Sequence, residues 1–234
     1  MSGRKVLLLV ASPRGQASVS GRIGDHLLAR LEERGMAIKT LMLHPALDDE
    51  KRMGEILAAI DLCSLLLVAF PLYVDQLPAP LVELLRLAAD RRQGRNGERN
   101  EPRQSLAALV QCGFPETLQC RPAADIVRLF AAQAGFRFLG CLAFGMGGAV
   151  DRRRPLAEAG PVVRHQLRAL DEAAAILAED RELPAEVIGR MGRAMMPRWF
   201  YNLAAGWGWK RQADKFGTKG RLREKPYAGK QPEG

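Results

Sequence analysis

Three hydroxyls and a guanidinium crowd the stretch VASPRGQASVS, residues 10–20. An unbroken apolar run, Val6–Val10, stops just before it, and an amphipathic pattern begins directly behind it. A turn between a buried strand and a helix presents free backbone N–H groups at the helix N-terminus, a ready anion site. Ser12, Ser18 and Ser20 can add hydroxyl donors, and Arg14 a charge-assisted hydrogen bond. The loop lacks the lysine and spacing of a Walker A sequence, which disfavours nucleoside triphosphate hydrolysis. It also lacks the GxGxxG dinucleotide fingerprint. A single terminal phosphate, held without a metal, suits it best. The plainer alternative is that Ser20 merely N-caps the helix while Ser18 lies in the turn before it.

A second loop, FPLYVDQLPAPL at residues 70–81, follows another apolar run. Pro71, Pro78 and Pro80 stiffen it, so that backbone amides between Leu72 and Gln76 can meet the polar edge of a flat ring. Tyr73 supplies an aromatic face or a hydroxyl. Two more loops, CGFPETLQ (112–119) and FGMGGAV (144–150), carry Gly113, Gly145, Gly147 and Gly148, which permit close backbone approach. Cys112 reads as a buried thiol at a strand end. His26, His44 and His165 read as surface or structural residues, and no general base is evident.

These loops need strands and helices to hold them. Val6–Ala11, Ile38–Leu43, Ser64–Phe70, Leu106–Cys112 and Phe138–Phe144 are strand-length and apolar without clean alternation, as in strands buried on both faces of a parallel sheet. Helical patterns fall between them at about 20–34, 50–61, 79–92 and 122–135, with a fifth at 160–179. Five βα units predict an α/β doubly wound domain of five parallel strands, helices on both faces and right-handed crossovers. Ligands of such sheets sit beyond the carboxyl ends of the strands, where all four loops lie. The polar stretch Asp90–Gln104 reads as a solvated loop.

The chain has 234 residues, a net charge of +9, and 47% hydrophobic and 26% charged residues, ordinary for a soluble domain apart from the charge. That charge is uneven. From Arg190 onward there are eleven Lys/Arg against three Asp/Glu, so eight of the nine net positive charges lie there. Residues 1–182 are expected to form the α/β domain and residues 183–234 a basic helical extension. Cys63, Cys112, Cys120 and Cys141 are far apart with no CxxC, which argues for reduced thiols and against a sequence-local metal site. With no signal-peptide pattern at the start and no run long enough to span a bilayer, a cytoplasmic location is expected.

SPRGQASVS followed by PLYVDQLP, with CGFPE after the fourth strand, resembles the flavodoxin-like NAD(P)H-dependent FMN reductases, a group that includes many quinone reductases. The resemblance spans about residues 4–180. It implies that Ser12, Arg14, Ser18 and Ser20 hold the FMN phosphate. It implies further that Pro71, Leu72, Tyr73, Val74 and Asp75 line the isoalloxazine ring, and that Gly113, Phe114 and Pro115 close its other side. NAD(P)H would be the co-substrate and a quinone or free flavin the acceptor, with no residue acting as a catalytic acid or base. Ala11 departs from the glycine that this loop often carries, and the cysteine cluster of iron–sulfur members is absent. A flavodoxin-type electron carrier is the alternative. Such carriers are typically acidic, whereas this chain has a pI of about 9.8 and would attract the phosphates of NADPH.

Two expectations concern partners. The third helix carries Leu81, Val82, Leu84, Leu85, Leu87 and Ala88, more than one stripe, which predicts burial against a second subunit in a homodimer or higher homo-oligomer. In the tail, Met196, Trp199, Phe200, Leu203 and Trp207 recur at helical spacing after Pro197, predicting an ordered helix with an apolar seam. That seam could pack on the protein itself or its dimer mate, or lie on an anionic membrane. No motif frames the charges for nucleic acid.

Overall fold

Leu65–Pro71 is buried along its whole length, and so is all of Lys5–Val10 beyond its first residue. Strands this apolar must be covered on both sides, and they form the centre of the sheet. The computed structural model describes residues 4–93, 104–150 and 154–225. In it the five strands are β1 (Lys5–Val10), β2 (Ala37–Met42), β3 (Leu65–Pro71), β4 (Ser105–Gln111) and β5 (Arg137–Phe144). They pair in parallel in the order β2-β1-β3-β4-β5. Strand order therefore reverses between β1 and β3, the switch point of a doubly wound sheet.

The helices are α1 (Val19–Glu32), α2 (Glu50–Leu62), α3 (Ala79–Gln93), α4 (Arg121–Gln133), α5 (Arg164–Ala178), α6 (Ala185–Met191) and α7 (Arg198–Lys215). Alternate residues of each central strand face opposite layers. Leu8 and Leu67 join Ile23 and Leu27 of α1, Leu170 of α5 and Val187 of α6 in one core. Leu7, Leu66 and Phe70 join Ile60 of α2, Leu84 of α3 and Val127 of α4 in the other. Helices thus cover both faces, as the apolar runs require. The N-terminal edge of the sheet is clasped by one carboxylate. Asp180 accepts from the Ser105 hydroxyl at 2.7 Å and pairs with Arg4 at 2.5 Å and Arg137 at 2.6 Å, tying the starts of β1, β4 and β5 together.

The chain divides into two compact units, Met1–Met195 and Met196–Gly234. The first runs beyond the boundary expected at residue 182 because α6 buries Val187 and Met191 in the core beside α1 and α5. The fifth helix starts later than its pattern suggests. Gly160 has φ 79° and Pro161 lacks an N–H, so 154–163 forms two 3-10 turns and α5 begins only at Arg164. The solvated loop expected over 90–104 is ordered at its ends. α3 runs to Gln93, and the Gln104 amide donates to the carbonyls of Ile60 and Cys63. Its middle, residues 94–103, lies outside the described residues.

The breadth of the α3 stripe has an internal explanation. Leu81, Leu84, Leu85 and Ala88, at helical spacing, are buried in the protein's own core, while Val82 is exposed and Leu87 half-buried. Among the described residues no helix is long and apolar enough to cross a membrane. The second unit contains α7, with Pro197 immediately before its first residue and a 3-10 turn at Lys219–Arg221 behind it.

Candidate functional site

The loops after β1, β3, β4 and β5 all emerge at the carboxyl edge of the sheet. The first is built around Ser18. Its hydroxyl accepts from the Gly21 amide at 2.9 Å, so Ser18, not Ser20, is the N-cap of α1. Before it, Gly15 adopts φ 55° and a 3-10 turn at Gly15–Ala17 folds back over the helix start. Gln16 reaches forward to the Asp25 carboxylate and holds that turn in place. The amides of Val19 and Ser20, at the first two helical positions, have no partner within the helix. Ser12, Ser18 and Ser20 are all buried, and the Ser20 hydroxyl lacks a hydrogen-bond partner. The Arg14 side chain is exposed above them. An orphaned buried hydroxyl and free amides at a helix N-terminus form a donor set matched to an anion.

The second loop turns more sharply than its prolines suggest. Tyr73 and Gln76 exchange both backbone hydrogen bonds at 3.0 Å, closing a two-residue turn over Val74 and Asp75. Both central residues have positive φ, 48° and 60°, the geometry of a type I′ turn. Asn-Gly normally occupies it. A β-branched valine there is strained, and Val74 is 96% exposed, so no packing contact compensates. This corrects the expectation that the amides from Leu72 to Gln76 are all available to a ring. Leu72 donates to Gln111, and Tyr73 and Gln76 are engaged with each other, leaving the tip amides of Val74 and Asp75. Pro71 ends the buried β3 and Leu72 is half-buried, so these two anchor the turn while Tyr73, Val74 and Asp75 project.

Gly113, Phe114 and Pro115 follow β4. Gly113 and Phe114 are exposed at this edge, Phe114 to 50%. Their backbone is locked to the β5 loop, because Met146 donates to the Phe114 carbonyl at 2.8 Å and Gly147 to that of Cys112 at 2.9 Å. The glycines of the β5 loop serve this lacing. A Cβ on Gly147 would stand 2.1 Å from Oε1 of Gln111, and one on Gly145 would stand 3.0 Å from the Phe114 carbonyl oxygen. That Gln111 oxygen is itself buried without a partner.

A cavity of about 110 Å³ opens at the switch point, lined by Ala11, Pro13, Leu43, His44, Tyr73 and Pro78 among others. It brings the β1 loop, the end of β2 and Tyr73 together. His44 was placed by its sequence context at a strand end and not at a site. Only the strand order, which puts β2 next to β1, could have signalled it. His26 is structural, paired with Asp171 at 2.9 Å between α1 and α5.

Cys112 is buried at the end of β4 and donates to the carbonyls of Phe114 and Glu116. Hydrogen bonding from Cys120 holds the Cys112 thiol below its ordinary range. The same contact, with burial, pushes Cys120 up, and burial raises Cys141 to about 12. Among the described residues no group of His, Cys, Asp and Glu could hold a metal ion.

No protein-family model matches the sequence, and no curated protein matches it. Solved structures do. An NADH:FMN oxidoreductase in its apo form aligns at 15% identity over 83% of this chain and 97% of its own, with a TM-score of 0.56. The Trp repressor binding protein from Bacillus subtilis aligns at 16% identity over 71% of this chain and 98% of its own, TM-score 0.53. An FMN-dependent NADH-azoreductase from Bacillus anthracis, solved in complex with FMN, aligns at 15% identity over 75% and 100%, TM-score 0.52. Strand order, two-sided helix cover and these likenesses agree: residues 4–195 adopt the flavodoxin-like fold.

Proposed function

We propose that the protein is an FMN-dependent oxidoreductase that takes hydride from NAD(P)H and passes electrons to a small acceptor such as a quinone. The observation that carries this reading is the pairing, at one switch point, of a helix start that holds the buried, unpartnered Ser20 hydroxyl with a strained, projecting turn. Ser12, Ser18, Ser20 and Arg14 would hold the FMN phosphate together with the free amides of α1. Tyr73, Val74 and Asp75 would border the flavin ring on one side and Gly113, Phe114 and Pro115 on the other. FMN, when bound, supplies the hydride-accepting chemistry.

The chain's own part is to bind, orient and polarise. The tip amides of Val74 and Asp75 are fixed donors that can stabilise negative charge on a ring edge without moving a proton. No acid or base is required, and the thiol of Cys112 is turned toward backbone carbonyls. The named flavoenzymes that share the fold support this reading. A homodimer and a cytoplasmic location belong to the same proposal, and either NADH or NADPH could serve as the hydride donor.

The experiment is steady-state quinone reduction with NADPH and with NADH, using protein reconstituted with FMN. Turnover that requires added or retained FMN supports the enzyme. Stoichiometric FMN binding with no nicotinamide oxidation would instead identify an electron carrier, and no FMN binding would remove both.

A further inference from the structure

All three tryptophans of the chain, Trp199, Trp207 and Trp209, lie on α7, and each is at least 66% exposed. Leu203, at 67%, sits between Trp199 and Trp207, so the three recur at i, i+4 and i+8 and stack along one side of the helix. Phe216, just past the helix, is equally open at 68%. The unit that holds them cannot bury them, because Ala213 is the one buried residue among its described positions. Apolar exposure of this size on one short segment marks an interaction surface.

Charge says which partner fits. Trp207 leads directly into Lys210, Arg211 and Lys215, and Lys219, Arg221, Arg223 and Lys225 follow. Against these stand Asp214 and Glu224 in the described tail. The Arg211 guanidinium lies over the Trp207 ring at 5.6 Å, so cation and aromatic share one neighbourhood. Tryptophan favours the headgroup layer of a bilayer, where its ring is apolar and its N–H stays wet. Lysine and arginine beside it are drawn to anionic headgroups. The helix has 18 residues, about 27 Å at 1.5 Å per residue. It is too polar to span a membrane and long enough to lie in its surface.

We infer that α7 is an interfacial anchor that docks on an anionic phospholipid surface, with Trp199, Leu203 and Trp207 in the acyl–headgroup boundary and the basic residues that follow them in the chain on the headgroups. Gly206 and Gly208 weaken the helix on its own, so the surface would also stabilise it. The inference holds whatever the first unit binds.

The test uses the full chain with vesicles of phosphatidylcholine, with and without phosphatidylglycerol. Because every tryptophan is on α7, intrinsic emission reports on that helix alone. Sedimentation with the anionic vesicles should be at least about tenfold tighter than with neutral ones and should weaken with salt. Emission should shift to shorter wavelength on binding and be quenched by brominated acyl chains. The W199A/L203A/W207A variant, whose changes are all at exposed positions, should lose sedimentation while keeping its far-ultraviolet circular dichroism. K210E/R211E/K215E should lose the preference for anionic vesicles. Failure of the intact chain to sediment, unchanged binding by either variant, or emission that is already blue without vesicles and unmoved by them would overturn the anchor. The last result would mean that the seam is covered by the protein itself or by a second copy.

Discussion

Gly21 tests whether the β1 loop is built as described. It is the third residue of α1, and a Cβ there would stand 2.5 Å from the Gln16 carbonyl oxygen and 3.0 Å from that residue's Cα. Ordinary contact begins near 3.4 Å, so Gly21→Ala must push the backbone at Gln16 back by about 1 Å. Alanine brings a helix-propensity gain of about 1 kcal/mol. Overpacking against a backbone atom costs about 1–3 kcal/mol. The second effect wins, and a net loss of about 1 kcal/mol is expected, or about 0.5 M in the urea midpoint for a slope near 2 kcal/mol/M. Gly54 is the control. It lies exposed in α2 with nothing within 4 Å of its would-be Cβ, so Gly54→Ala should stabilise by about 1 kcal/mol. Displacing Gln16 also disturbs the turn that covers the helix start, so FMN affinity should fall by about tenfold or more, the equivalent of one charge-assisted hydrogen bond. If Gly21→Ala stabilised the protein as much as Gly54→Ala did, with FMN affinity unchanged, the folded-back turn would not exist in solution.

Arg14→Ala should weaken FMN binding by about 1.5–3 kcal/mol in a fluorescence titration, if the proposed phosphate contact is made, while leaving thermal stability of the apoprotein unchanged, because the side chain is exposed. Tyr73→Phe should keep most turnover, whereas Tyr73→Ala should lose flavin affinity or acceptor selectivity; a large loss in the Phe variant with FMN bound would show that the hydroxyl takes part. Val74→Gly should raise apoprotein stability by about 1 kcal/mol in denaturant titration, since glycine relieves a left-handed valine more than its added unfolded-state entropy costs. Burial alone would raise the Asp180 carboxyl, but the Ser105 hydroxyl and the Arg4 and Arg137 guanidiniums hold it below the ordinary carboxylate value. A lowered folded-state pKa contributes stability above the unfolded carboxylate value and loses it as pH falls through the folded value. Asp180→Asn should therefore flatten the acid side of the stability–pH curve.

The central strands β1 and β3 were legible because two-sided burial leaves Val6–Val10 and Leu65–Pro71 without a polar residue, and all five strands lie within one residue of their expected spans although the edge strand β2 carries Lys39 and Thr40. Other features depended on tertiary detail. The cap at Ser18 lies two positions from Ser20, the cap of the plainer alternative, a distinction set by backbone angles. Neither Val74 nor Asp75 announces a type I′ turn, since neither is the residue that positive φ selects; the turn is imposed by the bridge between Tyr73 and Gln76. The seven residues of α6 are too few for a period to show. The α3 stripe was visible in full, but the core of its own domain claims four of the six apolar positions once α4 and β4 are in place. The dimer expectation then rests on Val82 and Leu87. Of the candidate phosphate-site residues, all four were in one loop from the outset; His44 became a neighbour of Tyr73 only through strand order.

The cavity at the switch point has unequal walls. On one side stands β3, sealed along its length; on the other, β2 is the edge strand and no residue of it is fully buried. Amide exchange should therefore be slowest along β3 and fastest along β2, because opening free energy follows buried contact. Leu43 and His44 hang from the end of that looser strand. The cavity can thus widen by fraying at the sheet's edge while the helix cap at Ser18 stays closed. In the proposed oxidoreductase, bulkier acceptors would be admitted by breathing of β2, and substitutions there would retune acceptor size without disturbing the start of α1.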